Sequence, residues 1–420
     1  MYYSIYAQKD TYISSGSNFT TGESEIDRNF GQDEILELSK IFRNESLNHF
    51  TRILVQFDLT QISSLFGSDP QTSITGSGLN AVTGIRKSGE PQYFLNLYEA
   101  QGNTNIDLPN YDLMSCRISQ SWGTGPGHSA DNPKKIIGAS WKYANYSEGG
   151  AIAQEWQNDS DGNGTLDEAC SFNGYGGGGN FITASGFGSN GGSEQQVASQ
   201  SFTDYGTPDV NMNITNLTDY WFANNSRTEE PNYGLALAWS GSHETDSVHH
   251  GHLKFFSSKT NTIYSPKLTV AWDSHQACSG SNTGSLTGSN MDGTKEHYIY
   301  PIGLKEYYKE SEKVKFRFGV RDRYIQKTIS TSSINEVSSS FIPEGSASYQ
   351  IVDVAAGEVV VPFDAINSSS AVSCDTSGMY FEQWLNTFIA DRTYRYMIKV
   401  KYDDGQEKIF DDSFDFKIVR

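Results

Sequence analysis

Two stretches near the C-terminus alternate apolar and charged residues with a period of two. Val314, Phe316, Phe318 and Val320 alternate with Lys313, Lys315, Arg317 and Arg321; Tyr394, Tyr396, Ile398, Val400 and Tyr402 alternate with Arg395, Lys399 and Lys401. Successive side chains of a strand point to opposite faces, so each stretch offers one face to a core and one to water. The second stretch ends at Asp403-Asp404-Gly405. An Asp-Gly turn between alternating runs signals a hairpin, because Gly accepts the positive φ that such a turn demands. The return strand is predicted over 407–410, and a last strand over 414–419. Residues 380–388 read as one or two helical turns. About seven strands in this length predict an immunoglobulin- or fibronectin-like sandwich.

Composition extends the all-β reading to the whole chain. Of 420 residues, 24 are Tyr, 23 Phe and 40 Gly, while charged residues reach only 19%. Many aromatics and glycines with few charge pairs favour strands joined by long loops over helices. No apolar run approaches the ~20 residues of a membrane-spanning helix, so membrane insertion is not expected. The first ten residues carry neither a basic nor an apolar leader region, which predicts no export by a signal peptide. A net charge of −19 argues against a nucleic-acid partner, because phosphate binding needs a basic footprint. Cys116, Cys170, Cys278 and Cys374 are widely spread with no C-x-x-C pair, and are expected to be free thiols.

Composition also divides the chain. Residues 274–294 form an aperiodic Gly/Ser/Thr run, a linker by content. It separates a first domain, 1–273, from a second, 295–420. Within the first, 158–195 are dominated by Gly, Asn and Ser and read as a long insertion between strands. Ile53–Leu59 is nearly continuous apolar, as in a strand packed on both faces. Tyr93, Leu95 and Leu97 share one side of a further strand, and 209–222 reads as a strand followed by a short helix.

Five ordered pieces of the first domain carry a resemblance. They are Asp10-Thr-Tyr-Ile13, Asn29-Phe-Gly31, Arg52-Ile-Leu-Val-Gln-Phe-Asp-Leu59, Asn232-Tyr-Gly-Leu235 and Pro266-Lys-Leu-Thr-Val270. In that order they resemble the DNRLRE-type β-sandwich domain, which is related to a family of carbohydrate-binding modules. The resemblance implies a jelly-roll-like sandwich for 1–273. The stretch from Lys254 to Asp273, followed by 349–353, 358–364, 375–381 and 392–400, looks like the C-terminal half of virion proteins from tailed bacteriophages.

Two clusters offer ligands. Asp159, Asp161 and Asn163 place side-chain oxygens at alternate positions before Gly164, and Thr165 and Asp167 continue the series. This resembles an EF-hand or dockerin calcium loop, with a structural Ca2+ as the expected cofactor. The last ligand position, a bidentate Glu in that motif, is Cys170 here. Four of the eight histidines fall within 243–252, and on a strand His250 and His252 would share a face and could hold a transition metal with a carboxylate. Otherwise that segment reads as a polar hairpin tip. Trp122, Trp141, Trp156, Trp221 and Trp239 are expected to be mostly core, with two or three at most available for sugar stacking.

The motifs of nucleophile elbows, zinc proteases and P-loops are missing from the sequence, no G-x-G-x-x-G opens a helix after a strand, and the glycines of Gly174–Gly179 are too poorly placed for a phosphate cradle. The resemblance to tailed-phage virion proteins implies a non-enzymatic structural protein of such a virion, a decoration, neck, tail or fibre component. Its expected partners are other virion proteins and copies of itself, and its location the virion, assembled in the host cytoplasm. The alternative is an extracellular or virion-borne carbohydrate-binding module whose partner is a surface glycan.

Overall fold

In a computed structural model the described residues are 1–17, 22–43, 47–62, 91–101, 110–158, 168–169, 171–172, 175–179, 181–182, 197–203, 206–222, 231–240, 243–244, 246–276, 293–294, 296–324, 342–343, 345–363, 369–375 and 377–420. Most of the linker and of the Gly/Asn-rich insertion lie outside them. The chain is an all-β protein of packed sheets. It divides into two compact units, one of Ile5–Ile85 and Gln92–Thr269, the other of Met1–Ser4, Arg86–Pro91 and Val270–Arg420.

The first unit is built on β1 (Tyr2–Ser14), β2 (Ile35–Arg43), β3 (Leu47–Phe57), β4 (Gln92–Leu97) and β5 (Asn110–Ile118). Short strands follow: β6 (Tyr143–Tyr146), β7 (Ala153–Glu155), β8 (Gln157–Asn158), β9 (Glu168–Ala169), β10 (Ser171–Phe172), β11 (Tyr175–Gly176) and β12 (Phe181–Ile182). β13 (Val197–Thr203), β14 (Val210–Asn213), β15 (Leu235–Trp239), β16 (Gly251–Phe256) and β17 (Lys267–Ala271) complete it. The main sheet runs β12-β5-β15-β3-β1-β17-β4-β14, with β13 on β5 and the pair β2–β16 joined through β3.

β3 serves two layers. Its first half pairs with β2, Phe50 opposite Lys40. Its second half pairs with β1 on one side and β15 on the other. A strand enclosed in this way has no face for water, and Ile53, Leu54 and Val55 are all fully buried. Burying each contributes about 2 kcal/mol. On β4 the alternation holds as expected, with Tyr93, Leu95 and Leu97 buried and their neighbours partly exposed. The strand and short helix expected over 209–222 are β14 and a helical turn, Thr215–Thr218.

The second unit adds β18 (His297–Ile302), β19 (Tyr307–Lys309), β20 (Lys313–Asp322), β21 (Ala347–Asp353), β22 (Val359–Val361), β23 (Ser373–Asp375), β24 (Gly378–Trp384), β25 (Thr393–Lys401) and β26 (Glu407–Val419). Two sheets, β18-β20-β24-β23 and β19-β26-β25-β21-β22, form a sandwich. Aromatic rings fill it. Phe381 lies 4.0 Å from Tyr349 and 5.3 Å from Tyr396 by centroid, and Phe316 lies 4.9 Å from Phe416. Residues 380–384 are strand rather than helix, because they pair with β20, Phe381 opposite Phe316. Only Leu385–Thr387 makes a helical turn. The Asp404-Gly405 turn forms, with Gly405 at φ 82°. The two strands expected after it are one strand, β26, whose register against β25 shifts between Tyr396 and Ile398.

Cys116 is a free, buried thiol as expected. Cys374 is disulfide-bonded, which corrects the expectation of free thiols. Its partner lies outside the described residues, and spacing along the chain gave no hint of it because disulfides join residues close in space.

Candidate functional site

The calcium-type residues Asp159, Asp161, Asn163, Thr165 and Asp167 lie outside the described residues. On either side of them β8 and β9 pair antiparallel, Asn158 opposite Glu168.

The histidine segment links β15 to β16. After β15, the chain turns so that the His243 and Glu244 amides donate to the Ser240 carbonyl at 2.8 and 3.0 Å. It then returns into β16, whose Gly251 pairs with Lys40 of β2. The return carries Asp246 and His250 together. His250 Nε2 lies 2.8 Å from Asp246 Oδ2 and 3.0 Å from Oδ1. His243 Nδ1 lies 3.7 Å from Asp246 Oδ2. Lys40, wholly buried, donates all three of its protons here: to the His243 carbonyl at 2.7 Å, the Asp246 carbonyl at 2.6 Å and Asp246 Oδ1 at 2.8 Å.

This corrects the expected pair. His250 and His252 do not act together, because His250 stands just before the strand and packs inward against Trp239, ring centroids 5.3 Å apart. His252 instead lies half-buried with Lys254 and Phe256 on the side of β16 opposite Leu253 and Phe255. The residue that joins His250 is His243, with centroids 4.9 Å apart. Sequence reading missed Lys40 and Asp246. An i, i+4 Asp-His spacing was the available local signal, whereas Lys40 sits 206 residues away in sequence.

Charge in the cluster is tightly arranged. Burial pushes the Asp246 carboxyl upward, but the Lys40 ammonium, the Val248 N–H and His250 together outweigh it and hold it at about 2. Burial lowers the His250 pKa, aided by Lys40 and His243 and opposed by Asp246, so the ring favours its neutral form. A carboxylate only accepts, so the neutral ring carries its proton on Nε2. Its Nδ1 is then a buried acceptor with no partner among the described residues.

The residues that carry the family resemblance all have scaffold partners. Asp10 accepts from the Ser258 amide at 2.6 Å and the Ser258 hydroxyl at 2.5 Å. Asn29, fully buried, donates to the Thr124 and Ala139 carbonyls at 2.7 and 2.8 Å. Its Oδ1 accepts from the Gly31 and Gly127 amides at 3.2 and 2.8 Å. The backbone passes so close there that a side chain at Gly125, φ 79°, would begin 2.1 Å from the Ile137 carbonyl. Arg52 pairs with Glu244, and Asn232 donates to the Phe57 carbonyl at 2.9 Å while accepting from the Gly234 amide at 3.0 Å.

Other candidate groups are similarly committed. Burial pushes the Cys116 thiol up to about 12, far from a reactive thiolate. Burial also raises Glu25 and Asp33, whose oxygens accept from Ser14 and from Ser129. Trp122, Trp141, Trp156, Trp221 and Trp239 are all buried, so the stacking role expected for two or three of them is not available. Exposed aromatics among the described residues include Tyr307, Tyr324 and, on β18, Tyr298, whose neighbour Tyr300 is half-buried. Tyr298 and Tyr300 are parallel to within 18° at 6.0 Å, and the Tyr300 ring covers Gly319, where a Cβ would fall 2.3 Å from it. The Arg321 guanidinium lies over the Tyr298 ring at 4.9 Å.

No family model matches the chain, and no curated protein matches it. Among solved structures, a mutant of Salmonella alpha-2-macroglobulin aligns with 98% of this chain at 10% identity and a TM-score of 0.17. The chain spans 24% of the length of that protein. A likeness at this level carries no argument about fold or function.

Proposed function

We propose that this chain is a non-enzymatic structural protein of a tailed-phage virion, a decoration, neck, tail or fibre component that acts through its β surfaces. One observation supports the reading above others. Of the ordered pieces that resemble the DNRLRE-type domain, four lie on or lead into the neighbouring strands β15, β3, β1 and β17, Asn29–Gly31 lies in a loop, and polar side chains from these pieces serve as internal braces. Residues engaged in this way hold a frame. The role is then one of interface area and symmetry among virion proteins and copies of itself. A structural calcium ion at Asp159, Asp161, Asn163, Thr165 and Asp167 belongs to the same proposal.

The disulfide at Cys374 suits a particle that functions outside a reducing cytoplasm. Mass spectrometry of purified virions, with sedimentation velocity of the isolated chain, tests the reading. Stoichiometric presence in particles and a discrete oligomer are expected. Absence from particles together with a monomer would overturn it.

The Tyr298–Tyr300 pair favours a second reading, a glycan-binding module. Parallel rings, Tyr298 exposed and Tyr300 half-buried, beside a cation suit sugar faces and acidic substituents. A glycan array with wild type and Tyr300→Ala separates the two readings. Binding that the substitution removes supports the module, and no binding to any glycan removes it.

A further inference from the structure

We propose that His243, Asp246 and His250 bind one divalent transition-metal ion of the zinc class, through two imidazole nitrogens and one carboxylate oxygen, with water completing the shell. This goes beyond the assembly reading and stands independently of it.

Geometry comes first. The three donor atoms all lie within 4.8 Å of one another. Asp246 Oδ2 sits between the rings, 2.8 Å from His250 Nε2 and 3.7 Å from His243 Nδ1. A tetrahedral ion with bonds of ~2.1 Å needs ligand atoms about 3.4 Å apart. The two separations from Asp246 bracket that value, and the third, between the imidazole nitrogens, is at most 4.8 Å.

The surroundings already orient the donors. Lys40 and the Val248 amide hold Asp246 Oδ1, at 2.8 and 3.0 Å, which leaves Oδ2 turned to the histidines. Outer partners of this kind fix a ligating carboxylate in one pose. His250 is packed against Trp239, while the side chains of His243 and Asp246 are 27% and 30% exposed. One ligand is thus rigid and two stand at the surface, where an ion and its water can enter.

Charge selects the ion. Lys40 already neutralises Asp246, so a purely electrostatic attraction for calcium or magnesium is weak. Attraction must come from imidazole nitrogen, which favours Zn2+, Co2+, Ni2+ or Cu2+ over hard cations. The neutral His250 ring carries its proton on Nε2, so Nε2 ligates only as the other tautomer. Binding moves the ring proton to Nδ1, where no acceptor waits among the described residues, which limits the affinity. The groups facing His250 are Asp246, Lys40, His243 and Trp239.

Isothermal titration of the full chain with zinc chloride at pH 7.5, in excess calcium, tests the site. Cobalt chloride adds an optical readout of coordination geometry. One equivalent per chain is expected, with a tetrahedral cobalt spectrum. His250→Gln and His243→Ala are each expected to weaken zinc at least roughly tenfold. His252→Ala and His249→Ala are expected to leave it unchanged. His243 is partly exposed, so its variant reads the site even if the buried change disturbs folding. No saturable zinc binding overturns the proposal, as does binding that survives His243→Ala or falls equally in the His252 and His249 variants. Displacement of zinc by millimolar calcium would overturn it too.

Discussion

Arg52 and Glu244 stand 192 residues apart in sequence and meet as a two-pronged pair, Nε to Oε1 at 2.8 Å and Nη2 to Oε2 at 2.7 Å. Their side chains are 6% and 2% exposed. The guanidinium also donates to the Gly178 carbonyl and lies 5.2 Å from the Trp141 ring centre. A buried pair of this quality sets the orientation of the turn that carries His243 and Asp246, because Glu244 lies between them in the chain.

Breaking one side of that pair leaves a charge buried without its counterpart. Glu244→Gln and Arg52→Met are each expected to lower stability by about 3–5 kcal/mol, and the double change Arg52→Met/Glu244→Leu by less than their sum. The pair Arg317–Asp375 has similar geometry, 2.9 and 2.6 Å, but side chains 27% and 33% exposed. Asp375→Asn is accordingly expected to change stability by less than about 1 kcal/mol. Urea denaturation of the four variants checks the ranking. Equal losses at the two pairs would refute the role given to burial.

Asn29 satisfies its full amide capacity in four hydrogen bonds to backbone that belongs to two separate loops. Asn29→Ala is expected to cost about 3 kcal/mol, since the stranded carbonyls and amides lose buried partners. Asn29→Asp should be at least as damaging, because a carboxylate cannot donate to the Thr124 and Ala139 carbonyls. Chemical denaturation measures both. Should Asp prove milder than Ala, the two donated bonds matter little.

The strands were legible in the sequence wherever one face is dry and the other wet. Tyr93-Leu95-Leu97 and Phe316-Phe318-Val320 show their burial in a period of two, and Ile53-Leu54-Val55 show theirs as an unbroken apolar run. Residues 380–384 misled because Tyr380-Phe381-Glu382-Gln383-Trp384 has no such alternation. Tyr380 and Gln383 are both buried on account of hydrogen bonds to Gln276 and Tyr2. The histidine cluster was half legible. Composition placed four imidazoles in one segment, but which of them meet depends on Lys40 anchoring the Asp246 turn, a contact across 206 residues.

Reduction should weaken the second unit. Cys374 is bonded within a strand, β23, that pairs with β24 through Cys374 opposite Met379. Loss of a disulfide from the folded chain typically removes about 2–4 kcal/mol. Thermal melts with and without a reductant, and of Cys374→Ser, are expected to show the same drop. An unshifted midpoint in both would mean that the bridge adds nothing to stability.

Acid should act in two stages. His250 and His252 both have pKa values lowered by burial, so folding favours their neutral forms. Their contribution is complete above the unfolded histidine value of about 6.5 and is lost as pH falls below it toward the folded values. Asp246, held at about 2 against burial by Lys40, and Asp375, held at about 2 by Arg317, contribute above about 4 and lose that contribution between about 4 and 2. Asp10, Glu25 and Asp33 work the other way. Burial raises their pKa values, so their ionisation opposes folding and protonation returns some stability as pH falls through the folded values. The melting temperature is expected to decline from pH 7 to 5, level off, and decline again below 4. His250→Gln should flatten the first decline and leave the second, and an unaltered first slope in that variant would show that the imidazole is not its source.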